Sequence, residues 1–214
     1  KFTDPFFLPN DYSLTSRDKA GNFTDSKQGS LLFKEFTTEH PNWKSNIEWR
    51  RPSSNHVLFT NNEISVSNVF QGEISNSYFI SAIKSLSSMQ SVIQDKFRTT
   101  TYNAIGYYEI VLFIDGQWQI VIVDDNIPYN KHKNNYAFAY SKDNSIWVML
   151  LEKAWAKING GYTNTIHGDC VDPLTALTSY ASTTTELTDT DEHDLVKLYN
   201  QIQTAFANKS IITF

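Results

Sequence analysis

The clearest structural signal in the chain is the stretch SIWVMLLEKAWAKINGGY at residues 145–162. Its large apolar side chains recur every three or four positions, which is the spacing of one helix face; they are Trp147, Leu150, Leu151, Ala154, Trp155 and Ile158. Gly160-Gly161 follows the last of them, and glycine commonly ends a helix because it adopts left-handed backbone angles without strain. The pattern predicts a helix over about Ser145–Ile158.

A second helix is predicted to begin at Ser77, within VFQGEISNSYFISAIKSL at residues 69–86. Helical spacing relates Phe79, Ile80, Ile83 and Leu86, and it extends to Met89 and Ile93. Ser75, Asn76 and Ser77 are all side chains that cap helix N-termini. A serine nucleophile needs a general base. None of the histidines stands in a recognisable Ser/His/Asp order with Ser77, and Ser77 does not lie in a G-x-S-x-G elbow. From these residues alone, Ser77 is interpreted as a helix cap.

A β-hairpin is predicted around Asp115-Gly116, a dipeptide typical of tight two-residue turns. Two runs rich in β-branched and aromatic residues flank the dipeptide, and they predict strands over Tyr107–Ile114 and Gln117–Asp124. Pro128 is expected to end this region, because proline cannot donate to a strand ladder.

The remaining segments complete an α+β chain. Residues 1–30 are polar and are expected to form an N-terminal arm or loops, and residues 31–214 are expected to form the folded core. Apolar spacing predicts a further helix over about residues 191–207. The last residues, KSIITF at 209–214, are expected to begin another strand.

Composition excludes several classes of protein. The net charge of -5 and a pI near 5.5 argue against a nucleic-acid binder, which would be basic. No apolar run reaches the roughly 20 residues of a membrane-spanning helix. The one cysteine, Cys170, excludes an internal disulfide and a cysteine-based metal cluster, and it favours a reducing, intracellular location.

Two other polar groups leave chemical alternatives open. Asp124-Asp125 follows a strand and could bind a cation, although acids at strand ends are more often solvated or bonded to loop amides. Cys170 follows His167-Gly168-Asp169 and could be a thiol nucleophile, although a single cysteine in such a run is more often a small buried side chain.

Five segments, taken in order, resemble the first half of the calpain-type cysteine protease core, the lobe that carries the nucleophile. SNIEWRRP resembles I-x-W-K/R-R-P, and NVFQGEISNSYFISAIKSL resembles D-x-x-Q-G-x-L-G-D-C-W-F/L-x-A-x-x-S-L. GQWQIVIVDDNIP resembles G-x-W-x-x-V-V-V-D-D-x-L-P, and SIWVMLLEKAWAKINGGY resembles F-W-x-x-L-L-E-K-A-Y-A-K-L-N-G-x-Y. LYNQIQTAFANKSIITF resembles the helix and strand that close this lobe.

This resemblance implies a papain-like cysteine proteinase fold, with a mainly helical first lobe, a central helix from Ser77 and a small β-hairpin. It extends over about residues 19–214. The family's general base, a histidine oriented by an asparagine, lies in a second lobe, which is expected to be absent from this chain.

At the catalytic position the sequence departs from the family. The position of the catalytic cysteine is Ser77, the preceding Gly-Asp is Ser75-Asn76, and the following tryptophan is Tyr78. Gln71 matches the glutamine that helps to form the family's oxyanion hole, where a donor must face the developing charge. A helix N-terminus and a histidinium can convert a thiol to a thiolate, whereas a serine hydroxyl stays protonated without a base.

The resemblance also implies calcium as the one candidate cofactor. The family binds it through two backbone carbonyls before the nucleophile, an Asp, and the Glu of L-L-E. Here the Glu is Glu152, the Asp position is Asn68, and a glycine of that loop is Glu63. Calcium prefers charged oxygen ligands, so these changes weigh against its binding. Glu63 could partly compensate for the lost charge, or it could block the turn.

We expect a non-catalytic calpain-like domain that acts as a structural or protein-interaction module with other protein chains, in the cytoplasm or on the cytoskeleton. A laboratory substitution would alter one residue, whereas Ser75, Asn76, Tyr78 and Asn68 depart together with Ser77. The main alternative is a calcium-dependent cysteine endopeptidase in a truncated or silenced form. A third is a serine hydrolase that takes its base from the missing lobe.

Overall fold

The structure, a computed structural model, describes residues 1–15, 38, 43–61, 63–86, 89–182, 184, 192–208 and 210–212. Its helices are α1 Asp11–Thr15, α2 Trp43–Asn46, α3 Ser77–Leu86, α4 Gln90–Gln94, α5 Trp147–Ile158, α6 Val171–Thr178 and α7 Glu192–Ala207. Its strands are β1 Ile47–Arg50, β2 Val69–Phe70, β3 Tyr107–Ile114, β4 Gln117–Asp124, β5 Ile127–Asn130, β6 Asn135–Tyr136 and β7 Tyr140–Ser141. Short 3-10 helices cover Val66–Asn68 and Tyr162–Thr165. The predicted α+β class is confirmed.

The β3–β4 hairpin has the predicted strand boundaries. Tyr107 pairs with Asp124 at one end and Ile114 pairs with Gln117 at the other. Between the strands, Asp115 and Gly116 both have positive φ angles, of 50° and 77°. Two such residues form the mirror-image turn whose twist matches that of a hairpin.

Pro128 does not end the strand region, and this expectation was wrong. It lies inside β5, opposite Trp49 of β1, and β5 also pairs with β6. Proline lacks only the N–H donor; its carbonyl still accepts a 2.9 Å hydrogen bond from the backbone of Ala137. The strand therefore tolerates Pro128.

Helix α5 forms the centre of the core. Its ten residues from Trp147 to Ala156 are all buried, including the charged Glu152 and Lys153. It packs against both strands of the hairpin, against β5 and against the Tyr162–Thr165 turn. Gly160 follows it with a φ of 83°, as its sequence predicts. Because α5 is buried on every side, packing constrains nearly every residue of the segment, and this makes the helix easy to recognise in the sequence.

The described part of the predicted N-terminal arm packs onto this core. Phe7 and Leu14 are buried in one cluster with Phe138 and Tyr162. The side chain of Asp4 is also buried, and its carboxylate accepts a 2.6 Å hydrogen bond from the Lys157 ammonium. The expected boundary near residue 30 lies outside the described residues.

The helix predicted from Ser77 needs adjustment. Helix α3 begins at Ser77 as predicted but ends at Leu86, and Ile93 belongs to the separate helix α4. The C-terminal helix α7 matches its prediction within one residue. The strand expected at 209–214 does not form over residues 210–212, and Thr213 and Phe214 lie outside the described residues.

None of the helices in the described ranges has the length and apolar character required to span a membrane.

Candidate functional site

The turn before Ser77 is positioned by close backbone contact with the segment Ala137–Ala139. A side chain on Gly72 would collide with the backbone of Phe138, so glycine is required for this approach. One residue later, the Glu73 N–H donates a 2.8 Å hydrogen bond to the Ala137 carbonyl. The fold thus fixes the path of the chain into α3.

Asn76 is the residue from which α3 starts. Its carbonyl accepts hydrogen bonds from Phe79 and Ile80, as an N-cap carbonyl does. Its side chain does not cap the helix but is fully buried, with Nδ2 donating a 2.7 Å hydrogen bond to Oε1 of Glu152. Oδ1 of Asn76 is buried without a partner among the described residues. Asn76 therefore ties the turn to helix α5.

Ser77 is exposed at the first position of α3. The first residue of a helix lies at the positive end of the helix dipole, where negative charge is favoured. In the described part of the chain, no hydrogen bond joins Ser77 to a histidine or to another base. The position can be reached by solvent.

Gln71 lies in the same turn and is exposed. Its Nε2 donates a 2.9 Å hydrogen bond to the carbonyl of Ile74. An oxyanion hole requires a donor aimed at the reacting carbonyl, whereas one N–H of this amide is bonded to its own loop. The predicted role of Gln71 remains a prediction.

Tyr78 forms an aromatic contact that the sequence did not reveal. Its hydroxyl accepts a 3.0 Å hydrogen bond from the indole Nε1 of Trp155. Burial raises the pKa of Tyr78 above its usual value despite this hydrogen bond, so the side chain stays a neutral phenol. The ring of Phe79 stacks on the same indole, with centroids 5.7 Å apart.

The loop His167–Cys170 is brought beside the start of α3. The His167 N–H donates a 2.9 Å hydrogen bond to the Ser75 carbonyl. A side chain on Gly168 would come within 2.6 Å of the Tyr78 ring. Cys170 precedes helix α6 and packs against the main core cluster. Because these residues are about 90 positions from Ser77 in sequence, no local pattern could have predicted this proximity.

Glu152 is 1% exposed, and both of its carboxylate oxygens accept hydrogen bonds. Oε1 accepts from Asn76, and Oε2 accepts a 2.9 Å bond from the Ala139 N–H. Burial raises the pKa of Glu152 to about 7, and the two hydrogen bonds offset only part of this rise. Glu152 thus joins helix α5 to both segments that frame the turn.

Asn68 and Glu63, the other two residues matched to the family's calcium loop, lie apart from Glu152 in the hydrogen-bond network. Asn68 Nδ2 donates a 3.0 Å hydrogen bond to Oδ2 of Asp143, a residue that sequence reasoning missed. Glu63 is exposed, and its N–H closes a tight turn by donating to the Thr60 carbonyl at 2.9 Å. Over the described ranges, no group of three or more His, Cys, Asp or Glu side chains is arranged to hold a metal ion.

Asp124 and Asp125 are both paired within the protein. Asp124 is buried 2.5 Å from the ammonium of Lys153, which is also buried. Burial would raise the pKa of Asp124, but the nearby Lys153 and two backbone N–H groups hold it below its usual value. Asp125 pairs with Arg51. These contacts fit the structural interpretation of the acidic pair.

Comparison with known proteins agrees with this geometry. The model of the calpain family of cysteine proteases matches residues 2–214, which is nearly the whole chain. The chain belongs to the calpain family. The papain-like α+β core predicted from the five segments is therefore the right fold, and the match begins earlier than residue 19.

Several calpain relatives are similar over most of this chain. It is 34% identical over 189 residues to the calpain-type cysteine protease ADL1 of Oryza sativa subsp. japonica, covering 84% of the chain and 8% of that protein. It is 32% identical over 192 residues to the calpain-type cysteine protease DEK1 of Arabidopsis thaliana, covering 85% and 8%. It is 31% identical over 183 residues to calpain-5 of Caenorhabditis elegans, covering 78% and 28%. The chain thus spans under a third of each relative's length.

Proposed function

We propose that this chain is a non-catalytic calpain-like domain that serves as a structural or protein-interaction module in a larger intracellular assembly. The observation that carries the proposal is Ser77, which occupies the family's nucleophile position without a base bonded to it in the described residues. A helix N-terminus can stabilise a thiolate, but a serine hydroxyl must lose its proton to a base in the transition state.

The pattern of change around Ser77 supports the same proposal. Residues that hold the core, such as the buried Lys153–Asp124 pair, match the family pattern. By contrast, the Gly-Asp before the nucleophile is Ser75-Asn76 here, and Asn76 is committed to a structural bond with Glu152. A domain that is retained for its fold needs the core residues, such as Lys153 and Asp124, but it does not need the Gly-Asp before the nucleophile.

The proposed partners are other protein chains, and the proposed location is the cytoplasm or the cytoskeleton. The net charge of -5 speaks against nucleic acid as the partner. Helix α7 carries large apolar side chains that are more than half exposed to solvent; they are Leu195, Val196, Tyr199 and Phe206. Clustered apolar surface of this kind is typical of regions that contact other proteins.

The second candidate function is a calcium-dependent cysteine endopeptidase whose nucleophile has been silenced. Two observations favour it: Gln71 is retained at the oxyanion-hole position, and Ser77 is exposed at the helix start. In this case a single sulfur-for-oxygen exchange would restore the nucleophile.

Hydrolysis of a peptide substrate distinguishes the two functions. The full-length protein that contains this chain is compared with its Ser77→Cys variant, with and without calcium. We expect no calcium-stimulated hydrolysis from either protein, since the neighbouring residues have changed as well. Hydrolysis by the variant alone would favour the silenced endopeptidase, and hydrolysis by the unaltered protein would overturn the proposal.

A further inference from the structure

We propose that the loop before the nucleophile position, whose described residues are 60–61 and 63–69, keeps its folded shape without calcium, because internal hydrogen bonds centred on Asp143 perform the role of the ion. This inference is independent of whether the domain is catalytic. It rests on the residues that occupy the expected calcium positions and on the atoms they contact.

Asp143 is the hub of this hydrogen-bond network. Its Oδ1 accepts hydrogen bonds of 2.6 Å from the hydroxyls of Ser141 and Ser145, and its Oδ2 accepts from Asn68. Its backbone carbonyl accepts a 2.8 Å bond from the hydroxyl of Thr60. Burial would raise the pKa of Asp143, but these hydrogen bonds outweigh it and lower the pKa below its usual value. The carboxylate is therefore charged and fully engaged at neutral pH.

Asn68 presents a donor where calcium would require an acceptor. Its Nδ2 bonds to Asp143, and its backbone carbonyl accepts a 3.2 Å bond from Lys142. An aspartate at this position would place two carboxylates against each other, an arrangement that needs a cation or a proton between them. The asparagine relieves that repulsion and turns it into an attraction.

Glu152 is also used for internal bonding. One oxygen accepts from Asn76 and the other from Ala139, and the side chain is buried. Calcium takes about six to eight oxygen ligands. Oδ1 of Asn76, on the residue bonded to Glu152, is a buried side-chain oxygen without a partner among the described residues. Both oxygens of Glu152 are already held by N–H donors, which compete with a cation for them.

Glu63 does not restore the missing charge. It is exposed at the end of the Thr60–Glu63 turn, and no hydrogen bond joins it to Asn68 or Glu152 within the described ranges. Within the described residues, none of the three family positions is hydrogen-bonded to another. The hydrogen bonds around Asp143 connect the loop to the segment before α5, and those around Glu152 connect Asn76 and Ala139 to α5 itself.

Hydrogen–deuterium exchange measured by mass spectrometry tests this inference locally. The full-length protein is compared in EGTA and in millimolar calcium, a range in which even weak protein calcium sites fill. We expect peptides from residues 57–70 and 137–152 to exchange equally in both conditions. Slower exchange of either region in calcium would overturn the proposal.

The variant Asn68→Asp provides the positive half of the test. It replaces the donor by a second carboxylate facing Asp143, so exchange of residues 60–69 in EGTA should become roughly tenfold faster. Calcium should slow it again in this variant only. Asn200→Asp, which makes the same change at an exposed position of α7, should leave the loop unaffected.

The Asn68→Asp variant also shows whether the Asn68–Asp143 hydrogen bond holds the loop or is only an incidental contact. If Asn68→Asp exchanges as slowly as the parent in EGTA, the Asn68–Asp143 bond does not hold the loop and the proposal fails. Because the readout is exchange of a defined segment, it does not depend on enzymatic activity or on the calcium binding of other domains.

Discussion

The indole Nε1 of Trp155 donates a 3.0 Å hydrogen bond to the hydroxyl of Tyr78, the residue directly after Ser77. In the family pattern these two positions carry the opposite residues, tryptophan after the nucleophile and tyrosine in K-A-Y-A-K. The two aromatic residues have therefore exchanged places, and the chain keeps an indole–phenol pair between α3 and α5. The pair therefore links the residue after position 77 directly to helix α5.

Tyr78→Phe should destabilise the domain, because it leaves the indole N–H of Trp155 without its acceptor. The expected loss is about 1–3 kcal/mol of unfolding free energy, the cost of a buried unpaired donor. Chemical denaturation of the parent and the variant measures it. Tyr199→Phe, at an exposed tyrosine of α7, is the matched control and should change the free energy by less than about 0.5 kcal/mol.

The double variant Tyr78→Trp/Trp155→Tyr restores the family order. We expect it to be more stable than the sum of the two single variants predicts, by roughly 0.5–3 kcal/mol of coupling. Chemical denaturation of the parent, the two single variants and the double variant gives the four free energies of unfolding that this comparison needs. Strict additivity would mean that the two positions are not coupled and that the exchange is incidental.

Glu152→Gln should stabilise the domain above neutral pH, whereas Glu152→Ala should destabilise it. The pKa of this carboxyl is raised from 4.5 to about 7 in the folded state, so the folded state binds its proton more tightly. Its burial therefore costs nothing at low pH, and the cost grows as the pH rises between these two values. Above pH 7 the cost of burying the ionised Glu152 carboxylate levels off at about 3 kcal/mol. A glutamine carries no such cost. Its oxygen can accept from the Ala139 N–H, and its NH2 can donate to Oδ1 of Asn76 once the Asn76 amide has turned over.

The pH dependence of unfolding checks this account of Glu152. Between pH 4.5 and 7 the parent should lose stability relative to Glu152→Gln. Glu63→Gln, which removes an exposed carboxyl, should follow the parent. Parallel profiles for the parent and Glu152→Gln would contradict the assignment of a buried, partly protonated carboxyl.

Lys153→Met should be among the most destabilising changes in the chain. It leaves the buried carboxylate of Asp124 without its cation, and removing one partner of a buried ion pair costs about 3–5 kcal/mol. Adding Asp124→Asn should recover part of the loss. Lys197→Met, on the exposed surface of α7, should be nearly neutral in the same denaturation experiment.

Ser77 should not react with a fluorophosphonate probe, because a serine nucleophile requires a base to remove its proton. The full-length protein is incubated with the probe, and the digested peptides are searched for the adduct by mass spectrometry. Ser77→Ala is the control for probe bound elsewhere. A specific adduct on Ser77 would revive the serine-hydrolase alternative.

Local patterns predicted those elements whose residues act on their nearest neighbours. The Asp115-Gly116 turn specifies its own hairpin, and α5 is marked by its apolar residues and by Gly160. Pro128 misled the prediction because a strand loses only one donor at proline, and the fold supplies Ala137 to use the remaining carbonyl. That compensation comes from a tertiary neighbour and has no local signature.

The candidate site was only partly predictable for the same reason. The family pattern placed Ser77, Gln71 and Glu152 in sequence, but it did not reveal what their side chains contact. The bond from Asn68 to Asp143 spans 75 positions, and that from Asn76 to Glu152 spans 76. The first bond lies beside the β2–β7 pairing and the second joins the turn before α3 to α5, so both become visible only in the folded structure.

The most direct test of the central claim is the chemical state of position 77 in the protein isolated from its native source. The denatured protein is alkylated with iodoacetamide, digested and mapped by mass spectrometry. The account predicts an unmodified serine at position 77, with alkylation of this chain confined to Cys170. An alkylated cysteine at position 77 would contradict the account and would identify the domain as the nucleophile lobe of an active protease.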